Sequence, residues 1–220
     1  MMRALITQRE DKNRYGNPTD VLEIDYIRFY ERLGLQIQPV SNFTTSLHSI
    51  FREHWDLLVV TGGGALNPEY YDKPHQEERQ YNRDAIEEFL IRFCMDNQIP
   101  IVGTCRGMQH INVLLGGRLT YHPDYPVNRP IGEDHLVHFL PEDKMVSVNN
   151  FHLDCIYRHQ LAPGLNPLAI DEDNDIVEAF TSDTSPILGV QWHPERYVDS
   201  EDDWMYVRNM IQKFVLTGHL

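Results

Sequence analysis

The sequence has little cysteine, little positive charge and no long apolar run. Three cysteines stand in 220 residues, with no C-x-x-C pair of the kind that holds zinc. So few thiols exclude a disulfide framework and point to a reducing compartment. Lys and Arg number 19 against 33 Asp and Glu, a formal net charge of −14. Such a surface repels nucleic acid and anionic membranes, so neither is an expected partner, and the plain role of the charge is solubility. No run of about 18 apolar residues could span a bilayer. The opening "MMRALITQRE" is too short an apolar stretch for a secretory leader, so the expected localisation is cytoplasmic. There is no internal repeat, low-complexity segment or linker. A single domain over residues 1–220 is the economical reading.

Short apolar runs alternate with helical patterns in the first half. "RALIT", "LQIQPV", "WDLLVV" and "IPIVG" read as strands. Between the first two, Leu22, Tyr26, Ile27, Tyr30 and Leu33 share one face of a helix that Gly34 stops. A long helix is expected from Gln76 to Asn97, and another from Arg106 to Leu115, closed by Gly116 and Gly117. In the second half "LVHFL", "MVSVN", "IVEAF" and "PILGVQW" read as strands among turn-rich loops. A last helix starts near Ser200, a plausible N-cap. The order predicts an α/β fold: a mostly parallel central sheet flanked by helices, with an added antiparallel strand region in the second half.

The chemistry gathers where strands end. In "PIVGTCRGMQ" Cys105 follows an apolar strand and opens a helix, with Gly103 and Gly107 two residues to either side. Small neighbours at that spacing relieve the crowding of a sharp strand-to-helix corner. The corner side chain then stands at the positive end of a helix dipole, which favours thiolate over thiol. An ordinary turn with a buried cysteine is the competing reading. "GVQWHPE" weighs against it. His193 and Glu195 occupy alternate positions of an extended segment and point to one side. Glu195 can orient the imidazole while His193 serves a thiolate as base and acid. "VVTGGGALNP" lacks the Lys-Ser/Thr of a phosphate-binding loop. Beside a cysteine nucleophile its N–H groups suit an oxyanion hole, partnered by the Arg106 N–H. Without that cysteine it would read as a flexible turn.

These three stretches together resemble the class I glutamine amidotransferase family. "YNRDAIEEFL", "CRGMQHINVLLGGRL", "SVNNFH" and "DIVEAF" are similar to the γ-glutamyl hydrolase branch, the peptidase C26-like group. The resemblance runs from about Leu5 to Glu195. It implies that Cys105 is the nucleophile, His193 the base and acid, and Glu195 the orienting carboxylate. It implies Gly63 as the oxyanion position and Gln109 as a holder of the γ-glutamyl group. It also implies that Asn150, Phe151 and His152 border the substrate. The loop reads "TGGG" where many relatives carry Pro-Gly-Gly, which leaves open which glycine donates. A narrower resemblance, in length and in the "ITQR" start, is to γ-glutamyl-CDP-amidate hydrolases of bacterial capsule biosynthesis.

Two readings of the activity follow. One is a hydrolase that takes a γ-glutamyl amide through a γ-glutamyl thioester to glutamate. The other is a glutaminase subunit that passes ammonia to a separate synthetase. A non-catalytic relative is disfavoured by the intact Cys-His-Glu set. The expected partner is a small γ-glutamyl amide, with a homodimer left open. No cofactor and no metal are expected: His122, His135, His138, His152 and His159 lack ligand spacing, and "DEDND" lacks the spacing of a calcium loop. Cys94 and Cys155 read as structural. Arg9 and Arg14 fall in a locally basic first loop on the carboxyl edge of the sheet. They are candidate contacts to an anionic leaving group, since the planar guanidinium suits phosphate.

Overall fold

A computed structural model of the chain describes residues 2–72, 79–121, 131–196 and 200–220. The first half supplies β1 (Met2–Ile6), a hairpin of β2 (Arg9–Lys12) and β3 (Pro18–Val21), α1 (Ile24–Arg32), β4 (Leu35–Pro39), a one-turn α2 (His48–Phe51) and β5 (Leu57–Val60). Then come α3 (Tyr81–Asp96), β6 (Ile101–Thr104), α4 (Arg106–Leu114) and β7 (Thr120–Tyr121). The second half adds β8 (His135–Phe139), β9 (Lys144–Val148), β10 (Asp154–Cys155), β11 (Leu165–Asp171), β12 (Ile176–Ser182), β13 (Ile187–Val190) and α5 (Glu201–Thr217).

Nine strands form one sheet in the order β4-β1-β5-β6-β13-β12-β11-β8-β9. The pairs from β4 to β13 are parallel and those from β13 to β9 antiparallel. This is the expected α/β architecture with its antiparallel extension. β5, β6 and β13 are buried at every residue, as strands covered on both faces must be. One face packs on α1 and α5 through Phe29, Tyr30, Ile211 and Phe214. The other packs on α3 and α4 through Leu90, Ile91, Met108 and Ile111. Ser200 caps α5, its hydroxyl accepting from the Asp203 N–H at 3.3 Å, and Gly218 ends that helix at φ 73°. No helix among the described residues is long and apolar enough to cross a membrane.

Three of the differences from the sequence reading bear on the site or the sheet. The basic first loop is a hairpin, docked on α3 by Glu10, which accepts from the Asn82 side chain at 2.7 Å. The long helix starts at Tyr81, and the expected start at Gln76 lies outside the described residues. β11 was not expected, because its two flanking turns and Pro167 mask a strand. The structure accommodates Pro167 with register shifts on either side of Ala169, the irregularity that admits a proline into a sheet.

Candidate active site

β1, β5, β6 and β13 run parallel, so their carboxyl ends share one edge. That edge collects most of the residues singled out above. Cys105 turns the chain from β6 into α4 at φ 52°, ψ −111°, a conformation that costs a non-glycine residue strain. The corner is tight. A Cβ at Gly107 would lie 2.0 Å from the Val60 carbonyl oxygen, and one at Gly103 would lie 2.9 Å from the Gly107 carbonyl. The glycines are therefore required by close approach of backbone. Arg106 is the first residue of α4, so its N–H has no carbonyl one turn back to receive it.

His193 faces Cys105 from the end of β13. Its Nδ1 donates to Glu195 Oε1 at 2.6 Å, which leaves the other ring nitrogen to Cys105, its second hydrogen-bond partner. Burial opposes charge on this imidazole. The hydrogen bonds and charges of Cys105 and Glu195 more than offset it and push His193 up to about 9. The ring is thus a cation at neutral pH, set beside a sulfur at a helix N-terminus. That is a setting in which cysteine acts as a nucleophile. Asn149 fixes the histidine backbone from both sides, donating to its carbonyl at 2.8 Å and accepting its N–H at 2.9 Å.

A cavity of about 290 Å³ opens over this pair. Gly63, Cys105, Arg106, Gln109 and His193 border it, as do Phe151 and His152. Gly63 holds φ 84°, a region that glycine enters freely. Gln109 donates to the Asp154 carbonyl and to Gln191 Oε1, both at 3.1 Å. Phe151 stands edge-on to the His193 ring at 5.7 Å. Burial pushes His152 below its ordinary value, so this second imidazole is neutral. Arg9 borders the cavity beside Gly63, within 3.2 Å of Asp11.

Two expected site residues are placed elsewhere. Asn150 is fully buried and does not border the cavity. Arg14 sits at the exposed tip of the β2–β3 hairpin, stacked on Tyr15 at 4.6 Å. The turn that closes there, with the Asn13 N–H donating to the Asn17 carbonyl at 2.9 Å, carries it off the cavity. Arg196 stands at the rim instead, over the Phe151 ring at 4.3 Å and paired with Glu23 at 2.9 Å. Its position directly after Glu195 was the signal for it. Tyr26 read only as part of a helix face, yet it borders the cavity, and its hydroxyl accepts the Gly62 N–H at 2.9 Å.

Among the described residues no group of three or more His, Cys, Asp or Glu could hold a metal ion. His135 and His152 each stand 3.7 Å from buried Glu178, His138 bonds Glu172 and Asp143, and His159 stacks on Tyr157. His122 lies outside the described residues. Cys94 and Cys155 are buried, and burial pushes the Cys94 thiol up to about 12.

A parallel sheet that delivers a strained cysteine corner, a His-Glu pair and a glycine loop to one edge defines a protein of the glutamine amidotransferase fold. A glutamine amidotransferase from Thermotoga maritima shares that fold, with a TM-score of 0.60 at 16% identity, covering 99% of this chain and 86% of that one. The peptidase C26 family model matches residues 4–195, and the chain belongs to that family. The protein NtpR of Enterococcus hirae is 32% identical over 181 residues, covering 72% of this chain and 74% of NtpR. A gamma-glutamyl-CDP-amidate hydrolase of Campylobacter jejuni is 28% identical over 193 residues, covering 87% of this chain and 88% of that one.

Proposed function

We propose that the chain is a cysteine-dependent hydrolase of γ-glutamyl amides. The observation that carries this is Cys105 held in a strained corner against a His193–Glu195 pair, with the glycine loop beside it. In the first step Sγ attacks the γ-carbonyl and the carbonyl π pair moves to oxygen. The N–H groups of Gly63 and Arg106 stabilise that oxyanion. The tetrahedral adduct collapses as His193 gives its proton to the departing nitrogen. A γ-glutamyl thioester remains. His193, now neutral, takes a proton from water, hydroxide adds to the thioester carbonyl, and the adduct collapses with cleavage of the C–S bond, which releases glutamate and returns Cys105 as the thiolate. Glu195 keeps the imidazole in one orientation through both steps.

The leaving group we assign is anionic, with a phosphoramidate such as γ-glutamyl-CDP-amidate as the sharpest candidate. Arg9 and Arg196 at the cavity supply forked donors for phosphate, and the Campylobacter jejuni relative bears that substrate in its name. The experiment is a screen of γ-glutamyl amides, neutral and phosphate-bearing, with glutamate release as the readout. Release that requires Cys105 and favours the phosphate-bearing amide supports both parts. Release from glutamine alone would overturn the hydrolase reading in favour of a glutaminase.

A further inference from the structure

The glycine loop is held from behind by a buried cation. Arg83, on α3, is fully buried. Its Nη1 donates to the Gly63 carbonyl at 2.6 Å. Its Nη2 donates to the carbonyls of Thr61 at 2.6 Å and Gly62 at 3.2 Å. In a trans peptide the carbonyl and the following N–H point to opposite sides. Three consecutive carbonyls turned toward Arg83 therefore turn the N–H groups of Gly62, Gly63 and Gly64 away from it. The Tyr26 hydroxyl takes the first. The Gly63 N–H donates to no acceptor among the described residues, and Gly63 borders the cavity.

Glu87 ties this clamp to the cysteine corner. Its Oε1 accepts from Arg83 Nε at 2.7 Å, and its Oε2 accepts from Arg106 Nη1 at 2.5 Å and His110 Nδ1 at 2.8 Å. Arg106 also bonds Asp84. Burial opposes ionisation of Glu87, but Arg83, Arg106 and His110 overrule it and hold the carboxyl well below its usual range. Burial, with Arg106 nearby, pushes Arg83 down to about 10, which leaves it a cation at neutral pH. A buried ion pair is weak as a source of stability, because desolvation cancels most of the attraction. Arginine is also specific to the task. Its fork reaches several carbonyls at once, whereas a lysine nitrogen is a single point.

We propose that Arg83, anchored by Glu87, is the positioning residue of the oxyanion hole. It fixes the Gly62–Gly63 peptide so that the Gly63 N–H meets the charge that develops when Cys105 attacks a carbonyl. One carboxylate thereby sets the glycine loop and the cysteine corner in register. This rests on Cys105 as the nucleophile but not on the identity of the substrate.

The test compares two reactions at Cys105, each corrected by Cys105→Ala. p-Nitrophenyl acetate acylates the sulfur: Sγ adds to the carbonyl, an oxyanion forms, and p-nitrophenolate leaves. Iodoacetamide alkylates it: Sγ displaces iodide from carbon, and no oxyanion forms. Arg83→Lys keeps the charge opposite Glu87 but loses the fork. It should slow acylation on the order of 10²-fold, the loss typical of one oxyanion donor, and leave alkylation at the wild-type rate. Acylation at the wild-type rate would overturn the proposal. So would parallel loss of both reactions, which is what a merely structural role produces. Should Arg83→Lys not fold, Arg83→Met with Glu87→Gln leaves Arg106 paired with Asp84 and must show the same split. Wild-type protein that is acylated yet releases no glutamate from any γ-glutamyl amide would remove the substrate reading and leave this proposal standing. Wild type matching Cys105→Ala with both reagents would remove both.

Discussion

Tyr26 takes the Gly62 N–H on its hydroxyl oxygen at 2.9 Å, and so withdraws one of the loop's three glycines from the substrate. The "TGGG" loop left open which glycine donates. With Gly62 engaged, Gly63 is the next N–H along the chain, at a residue that borders the same cavity as Cys105. Burial first, then the carboxylate of Glu195, push the phenol well above its ordinary range, so Tyr26 keeps its proton and acts here as an acceptor.

Tyr26→Phe should therefore free the Gly62 N–H and loosen the loop. A net hydrogen bond is worth roughly 0.5–1.5 kcal/mol, so kcat/KM for a γ-glutamyl amide should fall by about two- to tenfold. KM should change little, because the phenyl ring still fills its place near His193. An unchanged kcat would mean that Gly62 does not need its anchor.

Activity should fail on the alkaline side near pH 9. The leaving nitrogen needs a proton, and His193, raised to about 9, carries it below that pH. The same shift bears on stability. The folded value lies above the unfolded value near 6.5, so the extra stability is fully present below about pH 6.5 and is lost as pH rises through 9. The melting temperature should fall across that window, and fall less in Cys105→Ala, which removes the first of the contacts that raise the value. Glu195→Gln removes another and should move the alkaline limb of the kcat profile to lower pH. A limb that stays put in Glu195→Gln would assign it to a different group.

The cysteine corner and the His193–Glu195 pair were legible because their signals are local. A cysteine between glycines at matched distances, and a histidine two residues before a glutamate, each fit in one turn of chain. The supports were not, because they are set by what packs opposite. "YNRDAIEEFL" reads as an ordinary helix, and nothing in it says that Arg83 and Glu87 face inward onto the glycine loop. The hairpin hid its own geometry. "REDKNRYG" read as a loop, which made Arg9 and Arg14 look equivalent. The β2–β3 turn separates them by putting Arg14 at the tip. The mixed sheet was readable in outline from the change of texture in the second half, but β11 was lost behind Pro167.

Replacing Arg9 and Arg196 together by Ala should raise KM for a phosphate-bearing γ-glutamyl amide. Each charge-assisted contact is worth about 1.5–3 kcal/mol, roughly tenfold to a hundredfold in affinity. A neutral γ-glutamyl amide should be little affected, since it lacks the charge these residues meet. Arg14→Ala should change neither. Equal losses for the two substrates would show that the pair supports the cavity rather than reads an anion.

The central claim is that Cys105 forms the covalent intermediate, and rapid-quench mass spectrometry during turnover of a γ-glutamyl amide tests it most directly. The account predicts a mass increment of one γ-glutamyl group on the peptide that contains Cys105. The adduct should form and decay at rates that match glutamate release, and be absent, with release abolished, in Cys105→Ala. Glutamate released at the wild-type rate by Cys105→Ala, with no adduct on any peptide, would contradict it.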